Sequence, residues 1–194
     1  WGLDVARQGG DSSVLCKRQG PMIHPLTVWR NLDLMQLSGA VKAEYDAMPP
    51  SRRPAEIIID SNGFGAGVLD RLRELGLPAR GLNVSERAVA KQTYLNLRAE
   101  LWFKCKAWLE GMDVSLPHDD ALYAELAAPR YMFTSSGKMQ VESKESMKRR
   151  GVRSPDRADA VCLALAGDHT TMAFGSAGSV AWKTPLRRGI RGVV

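Results

Sequence analysis

Apolar positions along the chain switch between short unbroken runs and helical spacing, and each switch marks an expected element. GLDVAR, SSVLCKRQ and IHPLTVWR are short apolar-rich segments, split by Gln8-Gly9-Gly10-Asp11 and by Gln19-Gly20-Pro21. Tight turn signals between such runs predict three strands in an antiparallel meander. Residues 37–48 then space Val41, Tyr45 and Met48 along one side of a helix that Pro49-Pro50 stops. EIIID (56–60) is an unbroken apolar run ending in an acid, which predicts a central strand buried on both faces. A helix over 66–75, closed by Gly76, and a further strand in ARGLNVS complete a strand–helix–strand order. That order calls for a parallel crossover beside the meander.

Further along, Tyr94, Leu97, Leu101, Cys105 and Trp108 recur at helical spacing, which predicts a long helix over 89–110, ended by Gly111. DVSLP reads as a short extended piece, 119–127 as a short helix, and YMFT with KMQVES as a hairpin around Ser135-Ser136-Gly137. Residues 144–150 suit one or two helical turns. The last helix lies in SPDRADAVCLALAG, with Ser154 as N-cap and Pro155 at the first helical position. The expected fold class is therefore α/β, a mixed sheet of an antiparallel three-strand meander plus parallel strands, flanked by helices.

Composition narrows the class of molecule. With 194 residues, 44% hydrophobic and 25% charged, the chain suits one well-packed domain. Cys16, Cys105 and Cys162 are far apart in apolar contexts, which favours reduced, buried thiols over a disulfide framework or zinc site. No run approaches the roughly 20 apolar residues of a membrane span. The chain opens inside a strand, WGLDVAR, without Met, as expected of a domain from a longer polypeptide. Beyond Asp168 come four basic residues and no acid among Gly, Ser and Thr, so 1–168 is expected to be the domain and 169–194 a basic, flexible tail.

Charge adds a partner class. The net charge is +6, and Lys138, Lys144, Lys148, Arg149, Arg150, Arg153 and Arg157 crowd one segment against Glu142, Glu145 and Asp156. Such a cluster is either a solvated face or the footprint of a polyanion, most simply nucleic acid.

The acids supply the chemistry. Asp4 sits between Leu3 and Val5 in the first strand, Asp60 ends EIIID, and Asp156 and Asp159 stand three residues apart on one face of an otherwise apolar helix. An unpaired buried carboxylate is costly, so each position calls for a reason. Asp4 has a local one on a solvent-facing edge, Asp60 in an Asx turn, and Asp156 beside a helix N-terminus. Asp159, flanked by Ala158 and Ala160, has none. Together they suit two-metal phosphodiester hydrolysis, in which two Mg²⁺ or Mn²⁺ held by carboxylate oxygens activate water and stabilise the leaving oxygen. The three histidines form no metal-ligand motif, and GFGAG lacks the Lys-Ser/Thr of a phosphate-binding P-loop.

The order of these elements resembles the RNase H superfamily, and DRADAVCLALA is similar to the final acidic helix of RuvC-type resolvases. Three segments resemble more specifically the C-terminal nuclease domain of phage terminase large subunits: GLDVARQGGDSSVL, EIIIDSNGFGAGVLDRLRELG and ESKESMKRRGVRSPDRADAVCLALA. YLNLRAELWFKCKAWL also looks like that family's long helix. The resemblance implies a Mg²⁺- or Mn²⁺-dependent endonuclease that cuts concatemeric double-stranded viral DNA. Asp4, Asp60 and Asp159 would be metal ligands and catalytic residues, with Asp156 a fourth ligand or a helper. Asp11 is either another acid or a turn residue. Lys144, Arg149, Arg150 and Arg153 would contact DNA phosphates or orient the metal site, and Gly63, Gly65 and Gly67 would let backbone pass close by. It further implies an N-terminal ATPase domain elsewhere in the full-length protein, a small terminase subunit and a portal or procapsid as partners, and the cytoplasm of an infected bacterial host as location. A junction resolvase or transposase-type nuclease, and a catalytically inert nucleic-acid-binding domain of the same fold, are the competing readings.

Overall fold

The computed structural model describes residues 1–6, 11–111 and 113–167; the expected tail lies outside them. β1 (Gly2–Asp4) pairs antiparallel with β2 (Ser13–Cys16), and Leu3 faces Leu15 across the ladder. The chain next makes a two-residue ribbon of β3 (Arg18–Gln19) with β4 (Met22–Ile23) before β5 (Thr27–Trp29) returns to pair antiparallel with β2. The expected third strand over 23–30 is therefore divided. Pro25 lies at the break, and proline has no N–H to give a ladder.

α1 (Leu34–Asp46) starts three residues earlier than the apolar spacing suggested. Its N-cap Asp33 accepts from the Gln36 N–H at 2.8 Å while the Gln36 side chain accepts from the Asp33 N–H at 3.0 Å, a reciprocal capping box. β6 (Ile57–Asp60), α2 (Phe64–Glu74) and β7 (Ala79–Leu82) form the expected crossover. β6 runs parallel to both β1 and β7, so the five-stranded sheet has the order β5-β2-β1-β6-β7.

The long helix, α3 (Leu97–Gly111), begins well after the expected residue 89. Asn96 caps it by accepting from the Ala99 N–H at 2.9 Å. The buried Glu100 carboxylate accepts from the Val89 and Ala90 N–H groups at 2.6 and 3.3 Å, holding that segment in turns. Apolar spacing continues through 89–96, but these side-chain acceptors satisfy the backbone in a non-helical path. After α4 (Asp120–Ala127), β8 (Tyr131–Phe133) and β9 (Met139–Val141) make the expected hairpin. α5 (Lys144–Arg149) and α6 (Asp156–Leu165) follow. Pro155, not Ser154, occupies the N-cap of α6.

Period-two alternation divides the sheet's residues between two cores. Leu3, Leu15, Ile57 and Ile59 pack with Val41, Val68 and Leu72 of α1 and α2 on one face. Val14, Cys16 and Ile58 pack with α3, α4 and α6 on the other. The three cysteines are buried and free. No helix among the described residues is long and apolar enough to cross a membrane.

α6 lies hard against β1 at Gly2. A Cβ there would stand 2.2 Å from the Ala160 carbonyl oxygen and 2.3 Å from the Ala164 amide nitrogen, both backbone atoms of the helix. No rotamer relieves that overlap, so Gly2→Ala must displace α6 bodily. We expect a loss of about 3 kcal/mol in urea unfolding; a loss under about 0.5 kcal/mol, the size of an ordinary surface change, would refute the close approach.

Candidate functional site

Alternation explains why two strand acids meet one helix. Asp4 follows Gly2, and Asp60 follows Ile58, by two positions, so both belong to the sheet face that carries α6. Leu3 pairs with Ile59, which brings the carboxyl ends of parallel β1 and β6 side by side. Gly2 touches α6 at Ala160 and Ala164, so Asp4 lies toward the Asp156–Asp159 end of the helix. The chain closes tightly here: a Cβ at Gly65, in the first turn of α2, would sit 1.8 Å from the Asp60 carbonyl oxygen. Of the three glycines singled out in the sequence, this one directly abuts a site acid.

Asp4, Asp60 and Asp159 line one cleft of about 330 Å³, with Arg98, Trp102, Ser143 and Lys144 also in its wall. Asp4, Asp156 and Asp159 are all buried, whereas Asp60 is half-buried at the strand end. Asp156 is not in the cleft wall. Its Oδ2 instead accepts from the Ser12 N–H at 2.9 Å, tying α6 to the start of β2.

Lys144 reaches into the middle of the group. Its Nζ lies 3.0 Å from Asp159 Oδ2, 3.4 Å from Asp4 Oδ2 and 3.8 Å from Asp156 Oδ1. As the side chains stand, no three Asp, Glu, His or Cys residues among the described residues converge to hold a metal ion. The ammonium is the cation among these carboxylates. The donor set nonetheless fits a hard divalent cation: it is all carboxylate oxygen, and buried Asp159 Oδ2 has no well-formed hydrogen bond.

Electrostatics record the crowding. Burial pushes the Asp4 carboxyl up to about 7; Lys144 opposes this, while Asp159, Asp156 and Asp60 add to it. Burial also raises Asp60 and Asp156, the former against hydrogen bonds from the Asn62 and Val84 backbone and the latter against that from Ser12. Desolvation works against the Lys144 ammonium, yet Asp4, Asp159 and Asp156 together hold its pKa above the usual range.

The basic residues divide into two kinds. Arg150 forks onto the buried Glu142 with contacts of 2.7 to 3.2 Å and also donates to the Ala128 carbonyl, joining α5 to β9 and the end of α4. Its hydrogen bonds hold the Glu142 carboxyl down to about 2. Lys144 is committed to the acids. Arg149 and Arg153 are exposed and form no ion pair among the described residues. Asp11 pairs at 3.0 Å with Lys148 on the surface.

Two site residues carried no sequence signal. Trp102 donates from its indole Nε1 to Asp159 Oδ1 at 2.8 Å, and Arg98 Nη2 stands 3.5 Å from the same oxygen. Both lie on α3, where the apolar spacing reads as core; only the buried helix packing against α6 turns them toward an acid.

Known structures share this architecture. The nuclease domain of the large terminase subunit gp2 of bacterial virus Sf6 superposes with a TM-score of 0.62 at 18% identity, over 84% of this chain and 85% of that one. A lysine-to-alanine mutant of that domain with manganese and beta-thujaplicinol gives 0.68 at 20%, over the same shares. The large terminase nuclease from thermophilic phage G20c with bound magnesium gives 0.63 at 19%, over 86% of this chain and 79% of that one. The chain therefore has the fold of phage large-terminase nuclease domains. No protein-family model and no curated protein sequence matches it.

Proposed function

We propose that the chain is the metal-dependent endonuclease domain of a viral DNA-packaging terminase large subunit, cutting concatemeric double-stranded DNA. One observation carries this reading. Carboxylates from β1, β6 and α6 line a single cleft in a fold shared with terminase nucleases, two of which have been crystallised with manganese or magnesium.

Asp4, Asp60 and Asp159 would hold Mg²⁺ or Mn²⁺, two ions in the working site, with Asp156 supporting Asp4 and Asp159 from behind. Bound there, the ions supply an activated water and charge stabilisation at the leaving oxygen. Asp4 takes part ionised, so its raised pKa makes ion binding strengthen as pH rises toward about 7. Lys144 holds the acids together without metal, and its ammonium must yield or share its place on loading. Arg149 and Arg153, exposed and unpaired among the described residues, would contact DNA phosphates. The ATPase domain, small subunit and portal or procapsid would be partners of the full-length protein in the host cytoplasm.

The test compares linear duplex and four-way-junction DNA with Mg²⁺, Mn²⁺ and EDTA, alongside melting with metal. We expect cleavage of the linear duplex only with metal, and a rise in Tm in millimolar Mn²⁺ from binding to the folded site. Preference for the junction would assign a resolvase instead. Absence of both cleavage and metal binding would leave an inert binding domain.

A further inference from the structure

The two oxygens of Asp159 live in different surroundings. Oδ1 accepts the buried Trp102 indole N–H at 2.8 Å, whereas Oδ2, without a hydrogen-bond partner among the described residues, faces the Lys144 ammonium at 3.0 Å. We infer that the Trp102 N–H is a positioning group that locks the Asp159 rotamer and presents Oδ2 to a divalent cation in the cleft. The inference rests on the metal-dependent reading above.

An indole N–H is a neutral donor with no acceptor capacity. It fixes a carboxylate's orientation without adding a positive charge of its own. Hydrogen bonds to the outer oxygen of a ligand commonly tune metal sites in this way.

The donor is itself well fixed. Trp102 is buried on α3, and the Arg98 guanidinium lies over its ring at 5.7 Å. Arg98 is anchored in turn by donating from Nη1 to the Glu142 carbonyl at 2.7 Å. Its Nη2 stays 3.5 Å from Asp159 Oδ1, an ion pair without a hydrogen bond, so among the described residues the indole is the hydrogen-bond donor that directs this oxygen. Trp102 acts through Asp159 and touches no reacting atom.

Trp102→Phe keeps the ring and deletes the donor. In the whole chain labelled with ¹⁵N-tryptophan, the five tryptophans should give one indole signal each, and the one absent from W102F belongs to Trp102. Diamagnetic Mg²⁺ is expected to move that signal in the unsubstituted protein. Calorimetry should find Mn²⁺ affinity weakened by about 10- to 100-fold in W102F, the usual cost of losing such a partner. If Mg²⁺ moves other signals but not this one, or W102F binds Mn²⁺ within twofold of the unsubstituted protein, the positioning role is refuted while the metal reading stands. If the unsubstituted protein responds to neither ion at millimolar concentration, the metal reading fails and the inference falls with it. Should W102F not fold, the Mg²⁺ titration of the unsubstituted protein, with Trp102 assigned through its backbone, decides alone.

Discussion

Asp159→Asn is expected to lower Mn²⁺-dependent cleavage of duplex DNA by a factor on the order of 10²–10³, the scale of losing one charge-stabilising group from a catalytic site. The substitution is nearly isosteric. The new amide oxygen can keep the Trp102 hydrogen bond, while an uncharged NH₂ replaces the oxygen that now faces Lys144. The NH₂ and the Lys144 ammonium are both donors, but Lys144 retains Asp4 and Asp156 as partners, so the variant should fold while melting below the unsubstituted protein. Asp60→Asn should behave alike, because that half-buried strand end tolerates a neutral amide. Single-turnover cleavage and melting, measured on the same preparations, check both. Full activity in a folded variant would remove that residue from the site. Asp156 gives a contrast: it sits outside the cleft wall, and an amide oxygen there can still accept the Ser12 N–H, so its Asn variant should keep more cleavage than the other two.

Lys144→Met carries the second large effect, on stability. It removes the cation that three buried or nearly buried carboxylates share. Breaking a buried ion pair from one side costs about 3–5 kcal/mol, and the Lys144 side chain is 35% exposed, so solvent screening trims this to about 2–3 kcal/mol at pH 8. The sign of the pH dependence follows from Asp4. Its folded pKa, about 7, lies above the ordinary 3.8, so between these values the folded protein keeps a proton that the unfolded chain has released. The Asp4 contribution to the stability of the metal-free protein therefore falls as pH rises from about 4 to about 7 and is level above that. Without Lys144 the Asp4 pKa rises further, because the neighbouring positive charge that lowers it is gone. Urea unfolding should then show a small deficit at pH 5 and a large one at pH 8. An equal deficit at both would mean that Lys144 contributes packing and not charge. Mn²⁺ should raise the Tm of the variant more than that of the unsubstituted protein, since the carboxylates then lack their resident cation.

Local pattern carried much of this architecture. EIIID announced a strand with both faces covered, as its isoleucines are, split between two cores. The crossover order called for β6 and β7 to run parallel, and they do; that β1 also runs parallel to β6 is set by the tertiary structure. Misplaced boundaries trace to side chains competing for backbone groups. Glu100 holds 89–90 out of the helix that apolar spacing extends through them, and the Asp33–Gln36 box starts α1 early.

By itself the sequence determined which residues share a face, because periods of 2 and 3.6 are properties of the backbone. Asp4 therefore shares a face with Gly2, Asp60 with Ile58, and Asp156 with Asp159, but the pairing of β1 with β6 and the packing of α6 put the two strand acids on one side with the helix acids. Only the tertiary structure decided which charges meet. Lys144 is 140 positions from Asp4, Trp102 is 57 from Asp159, and no periodicity links either pair. Lys144 and Arg150 read alike, as contacts to DNA phosphates or to the metal site, yet docking of α5 sends one into the acids and the other onto Glu142. The reason is physical: a side chain's period reports its direction from its own element, whereas its partner depends on how distant elements pack.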